Sequence, residues 1–250
     1  MKFFKQGLLI SLLLLTGCVK TPVTNRSQFI LVSNEQEIAL GLSESEKIKK
    51  SSTLSSDRQL VARIRQIGDK IAKVSGRDDF QWEFNVIESD QVNAFCLPGG
   101  KVFFYTGILK MMDNDDQIAA VMGHEIAHAL ARHGAERMSI QMVSQAGGQI
   151  LSAVFEVPAQ YQGLYEQAYG VGSNVAVMLP FSRSHEHEAD QIGVYLMWKA
   201  GYDPDAAVVF WQKMQSASQG KSVPEFLSTH PSDQSRIVAI NAFIKTLPKA

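Results

Sequence analysis

Cysteine is nearly absent: the 250 residues hold only Cys18 and Cys96. With Cys18 placed at a processing site, Cys96 stands alone, so an internal disulfide and a cysteine zinc cage are both excluded. Cys96 is expected as a small buried hydrophobe. Net charge is scarce as well: 24 basic residues face 25 acidic ones, leaving −1. That balance supplies no electrostatic case for nucleic acid. Long apolar runs are also missing. The stretch Gly7 to Leu15 has nine residues, too few to span a bilayer. There is no repeat and no low-complexity tract. A hydrophobic fraction of 45% over this length suits one good-sized domain.

The same nine residues suit an export signal, because Lys2 and Lys5 precede them as a positive n-region. Leu15-Thr16-Gly17-Cys18 follows directly and resembles the bacterial lipobox, in which the Cys is lipidated and becomes the new N-terminus. Val19, where an Asp would imply inner-membrane retention, points by resemblance to the periplasmic face of the outer membrane. The expected organisation is a signal peptide at 1–17, a lipidated Cys18 with a tether at 18–32, and one catalytic domain at 33–250. Removing 1–17 takes two Lys and no acid, so the remainder sits near −3 (22 basic against 25 acidic).

Within the domain, Ser33 and Gln36 have capping-box spacing for a helix to about Lys49. Leu60, Ile64, Ile67, Ile71 and Val74 recur at helical spacing, with Gly76 as the stop. Trp82, Phe84 and Val86 then alternate as a strand does. Val92–Leu97 and Lys101–Tyr105, joined by Pro98-Gly99-Gly100, read as a hairpin. Asp113-Asn114-Asp115 caps a helix running to about His133, apolar nearly all round and therefore buried. Further helices are expected at 136–157, 184–200, 204–218 and 233–246, and 158–181 is a Gly- and Tyr-rich stretch fit to gate a site. The fold class is α+β, predominantly helical, with one small central sheet.

That buried helix carries His124-Glu125-Ile126-Ala127-His128. Residues four apart share a helix face, so two imidazoles can hold one Zn²⁺ at about 2.0–2.1 Å each. Glu125, turned by about 100°, reaches past the metal to take the proton of an attacking water. Two core histidines around an unpaired buried Glu would be costly without such a partner. A catalytic zinc needs a third protein ligand and an open fourth position. His133, five residues after His128 on a continuous helix, points elsewhere. In Ser182-Arg183-Ser184-His185-Glu186-His187-Glu188-Ala189-Asp190, Glu186 and Asp190 share one face with Gly193 and Met197. Glu186 is the better third ligand and His185 the alternative. Asp190 is placed to bond a ligating His, and His187 and Glu188 are expected in solvent.

His124–His128 together with Ser182-Arg183-x-x-Glu186-x-x-x-Asp190 resembles the gluzincin family of HtpX and the CAAX prenyl proteases. Asn93-Ala94-Phe95-Cys96-Leu97-Pro98-Gly99-Gly100, Ser228-Thr229-His230-Pro231 and the lipobox are similar to its soluble periplasmic lipoprotein branch, typified by BepA and LoiP. The chain ends at Ala250, without room for a tetratricopeptide domain, so the LoiP-like type fits better. The resemblance implies a zincin-like domain with one Zn²⁺ per chain, held by His124, His128 and Glu186, with Asp190 in support and Glu125 as base. It further implies that Asn93, Ala94 and Phe95 lie on an edge strand that binds substrate backbone. His230 would polarise the carbonyl or cap a resting metal, and Arg236 would support the His230 loop by an ion pair. The implied activity is endopeptidase action on misfolded or stalled envelope proteins in outer-membrane quality control. The alternative is a non-catalytic or self-inhibited, chaperone-like assembly factor on the same fold.

Overall fold

A computed structural model describes residues 18–146, 182–218, 224–231 and 234–248. The chain opens with two short antiparallel strands, β1 (Cys18–Lys20) and β2 (Ser27–Phe29). The polar composition of this stretch suggests a tether, yet the structure folds it: Thr21 and Gln28 are buried and Arg26 reaches into the domain. The capping box then forms as its spacing predicts. Ser33 Oγ accepts from Gln36 N, and Gln36 Oε1 accepts from Ser33 N, starting helix α1 (Asn34–Ser51).

Asp57 caps α2 (Arg58–Val74) by accepting from Gln59 N and Leu60 N. Its Ile64, Ile67 and Ile71 are buried, each stabilising the fold by about 1.5–3 kcal/mol. Gly76, at φ +71°, turns the chain where the helix stops. The sheet holds β3 (Glu83–Ile87), β4 (Ala94–Leu97) and β5 (Lys101–Tyr105) in the order β3–β5–β4. β5 runs parallel to β3 and antiparallel to β4, which closes the expected hairpin and leaves β4 at one edge. A short helix α3 (Thr106–Leu109), not foreseen in the sequence, follows.

Asn114 caps α4 (Asp115–Leu130), which is buried throughout from Gln117 to Leu130. The sequence suggests continuation to His133, but the helix ends at Leu130. Arg132 adopts φ +55°, and His133 begins a new helix, α5 (His133–Ala146). The rest of the helix expected to 157, and the gate expected at 158–181, lie outside the described residues.

Ser182 caps α6 (Arg183–Lys199), and α7 (Asp205–Ala217), the short α8 (Phe226–Thr229) and α9 (Gln234–Ile244) complete the domain. The site is set by how closely α4 and α6 cross. A Cβ on Gly123 would stand 2.7 Å from Gly193 O, and one on Gly193 would stand 2.7 Å from His124 N. Backbone therefore meets backbone beside His124. Phe210, Trp211 and Phe226, from α7 and α8, close the core around the crossing. The result is the zincin-like, mainly helical α+β fold. Among the described residues no helix is long and apolar enough to cross a membrane.

Candidate metal centre

Helix α4 sets His124 and His128 one turn apart with Nε2 atoms 3.1 Å from each other. The tight α4–α6 crossing brings Glu186 to them: its Oε1 is 3.4 Å from His128 Nε2 and its Oε2 is 3.5 Å from His124 Nε2. His230, at the end of α8, adds Nδ1 at 3.4 Å from His124 Nε2 and 3.2 Å from Glu186 Oε1. All four side chains are buried. Ligands about 2.0–2.1 Å from a tetrahedral zinc stand roughly 3.3–3.4 Å from one another. Four of the separations above, from 3.1 to 3.4 Å, are close to that length, and one donor atom from each residue lies within 4.8 Å of the others. Three imidazoles and a carboxylate turn lone pairs on one point, and that donor set fits a divalent metal.

Behind the donors lies a charge-balanced support. Asp190 Oδ1 is 3.0 Å from His124 Nδ1, so it can fix that ring with Nε2 directed at the centre. Arg236 is fully buried and donates to both Asp190 oxygens, at 2.8 and 2.7 Å. Its Nη1 lies 2.7 Å from Glu186 Oε2 and bonds the carbonyl of Pro231, next to His230. The guanidinium also stacks on Trp211, 3.6 Å from the ring centre. Arg236 thus meets the His230 loop through a hydrogen bond to the Pro231 carbonyl, and its ion pairs go to Glu186 and Asp190 of α6. Burial pushes the Glu186 and Asp190 pKa values up, but Arg236 and the neighbouring histidines hold both below the ordinary carboxylate range. Burial alone would lower that of His124, yet Asp190 and Glu186 raise it to about 9. Carboxylates that favour an imidazolium at this point favour a dication there equally.

Glu125 points to the same centre from the next position on α4. Its Oε1 is buried without a hydrogen-bond partner and lies 3.6 Å from His230 Nε2. Burial raises its pKa, in the direction that suits a general base working near neutral pH. Strand β4 pairs with β5 alone among the described residues, so it stands at one edge of the sheet. Asn93, Ala94 and Phe95 are buried as whole residues. Cys96 on the same strand is buried, as foreseen, and burial with the nearby Glu125 pushes its thiol pKa up.

Two expectations fail. Glu188 is not in solvent: it is buried, accepting from the Thr21 hydroxyl at 2.7 Å, from Thr24, and from Arg26 Nε at 2.7 Å. His133 does not point elsewhere, because the break at Arg132 turns it back until its Nδ1 lies 2.9 Å from His128 Nδ1. Its Nε2 lies 2.9 Å from Glu188 Oε2. Burial lowers the His133 pKa to about 4. His185, the alternative ligand, bonds Glu136 Oε2 at 3.0 Å and stacks on His133 instead of joining the four donors. His187 is partly exposed, near Ser235. The contact of Arg26 with these carboxylates has no signature in local spacing, since it joins residues more than a hundred positions apart.

A family model described as peptidase family M48 matches residues 58–244. The mitochondrial metalloendopeptidase OMA1 of Schizosaccharomyces pombe is 36% identical, over 89% of this chain and 65% of its own length. Its counterpart in Saccharomyces cerevisiae is 34% identical, over 96% and 72%. The beta-barrel assembly-enhancing protease of Escherichia coli is 31% identical, over 81% of this chain but 42% of its own length. The chain thus spans about two thirds of the first two relatives and less than half of the third.

Proposed function

We propose that this metallopeptidase, which belongs to peptidase family M48, is a zinc-dependent endopeptidase with one zinc held by His124, His128 and Glu186. The observation that carries the reading is the convergence of these donors within 4.8 Å of one another beside Glu125 Oε1, a buried carboxylate oxygen with no hydrogen-bond partner. A zinc bound there would act as a Lewis acid toward a water and the scissile carbonyl. Glu125 takes the proton from the attacking water and passes it to the leaving amine. Asp190 holds His124 in the ligating tautomer, and Arg236 keeps Glu186 and Asp190 ionised. As the edge strand of the sheet, β4 would bind an extended peptide by its backbone, with Asn93, Ala94 and Phe95 setting the strand's position.

His230 fills the fourth corner of the donor set, which favours a resting, self-inhibited form of the enzyme over a non-catalytic binding factor. For catalysis His230 would have to leave that corner to admit a carbonyl, and it could then serve the oxyanion. The envelope reading rests on the lipobox-like Leu15–Cys18. Lipidation at Cys18 would hold the domain at the periplasmic face of the outer membrane. Its substrates would then be misfolded or stalled envelope proteins, a role supported by the likeness to the beta-barrel assembly-enhancing protease. The stronger likeness to mitochondrial enzymes makes the compartment the point to test.

Two assays test these statements. An unfolded protein substrate should be cut internally by the wild type, not after chelation, and again after zinc is returned. Glu125→Gln should keep the metal and lose about 10²–10⁴-fold in rate; near-normal cleavage by that variant would end the mechanism. Fatty-acid labelling of wild type and Cys18→Ser should mark only the former, and label on neither would remove the anchor.

A further inference from the structure

The second imidazole–carboxylate cluster has no part in the chemistry above, yet it leads to one of the ligands. Arg26 Nε and His133 Nε2 both approach Glu188 Oε2, at 2.7 and 2.9 Å. His133 Nδ1 lies 2.9 Å from His128 Nδ1, and His128 Nε2 belongs to the donor set. Arg26 also clasps Glu136 through both terminal nitrogens, at 2.9 and 2.7 Å.

We propose that Arg26, Glu188 and His133 form a positioning relay that fixes the tautomer of His128, so that the segment preceding α1 is wired to the metal site. The inference rests on the assignment of His128 as a ligand. With the His133 ring neutral, the proton assignments follow from donor and acceptor capacity. Glu188, paired with Arg26 and facing two hydroxyls, can only accept. His133 must therefore carry its proton on Nε2, which leaves Nδ1 of the neutral ring as an acceptor. His128 must then donate from Nδ1, and its Nε2 keeps a lone pair for the metal. The reverse arrangement, with a proton on His133 Nδ1, would put one on His128 Nε2 and block ligation. His128 thus receives through His133 the support that His124 receives directly from Asp190. Arg26 and the threonines that hold Glu188 lie outside the span of the matched family model, residues 58–244, while His133 and Glu188 lie within it.

Two measurements on the full domain test the relay. In zinc-loaded wild-type protein labelled with ¹⁵N-histidine, long-range ¹H–¹⁵N spectra should show His128 protonated on Nδ1 and metal-bound through Nε2. Competition with a chromophoric chelator should show His133→Ala weakening zinc by about 10–100-fold. His133→Asn, whose Oδ1 can accept in place of Nδ1, should recover much of that loss. His128 bound through Nδ1, a His133→Ala affinity equal to wild type, or no recovery in His133→Asn would each overturn the relay. Wild type that takes up no zinc would instead overturn the metal assignment beneath it.

Discussion

Arg236→Met is the substitution whose cost can be worked out most fully. The guanidinium is fully buried and is shared by Asp190, Glu186 and the Pro231 carbonyl, with Trp211 stacked against it. Methionine roughly fills the volume and removes the charge, leaving Asp190 and Glu186 facing each other across His124. Removing one partner of a buried ion pair costs about 3–5 kcal/mol, because the other charge stays desolvated. For a domain of this size each kcal/mol moves the melting midpoint by about 2–4 °C, so metal-free Arg236→Met should melt about 6–20 °C below wild type. A bound dication supplies the missing positive charge, so the deficit should shrink by at least half in zinc. Thermal melts of both proteins, in chelator and in zinc, read this directly. A variant that melts within about 2 °C of wild type in chelator, or shows the same deficit with and without zinc, would refute the charge-balance reasoning.

Two other perturbations probe different links. Gly193→Ala puts a Cβ 2.7 Å from His124 N. It should cost about 1–3 kcal/mol by overpacking and weaken zinc binding in the same preparation, as chemical denaturation and chelator competition would show. Unchanged zinc affinity would mean that the crossing does not set the site. Glu136→Gln tests acid stability. Burial raises the Glu136 pKa, but the bonds from His185 and Arg26 bring it down to about 2 from 4.5. A depressed carboxylate contributes stability above its unfolded value, lost as pH falls through the folded one. Wild type should therefore exceed the variant by a few kcal/mol near pH 6, of the order of the roughly 3 kcal/mol that such a shift represents. The gap should close between about pH 4.5 and 2; a gap independent of pH would contradict the assignment.

The parts of this site that sit on single helices were legible from spacing. His124, Glu125 and His128 share one buried helix, and Glu186 and Asp190 share another, because a period of 3.6 fixes which side chains stand together. The hairpin followed from Pro98-Gly99-Gly100, where Gly99 and Gly100 each take φ +81°. What spacing does not carry is a break inside a helix-like run. Nothing in Ala131-Arg132-His133 announces that Arg132 adopts a positive φ, and that one residue decides that His133 supports His128. Glu188 was misplaced for a related reason. A carboxylate at a charged helix start reads as solvated until its partner is known, and Arg26 comes from the loop between β1 and β2, 162 positions away. His230 arrived through motif resemblance, and its place at the end of α8 puts it in the donor set.

The central claim is a metal held by His124, His128 and Glu186. Its most direct test is the zinc content of purified wild type beside Glu186→Ala, measured by elemental analysis after exhaustive dialysis. The account predicts one zinc per chain in the wild type and almost none in Glu186→Ala. Wild type free of zinc, or a variant that retains it in full, would contradict the ligand set and with it the proposed chemistry.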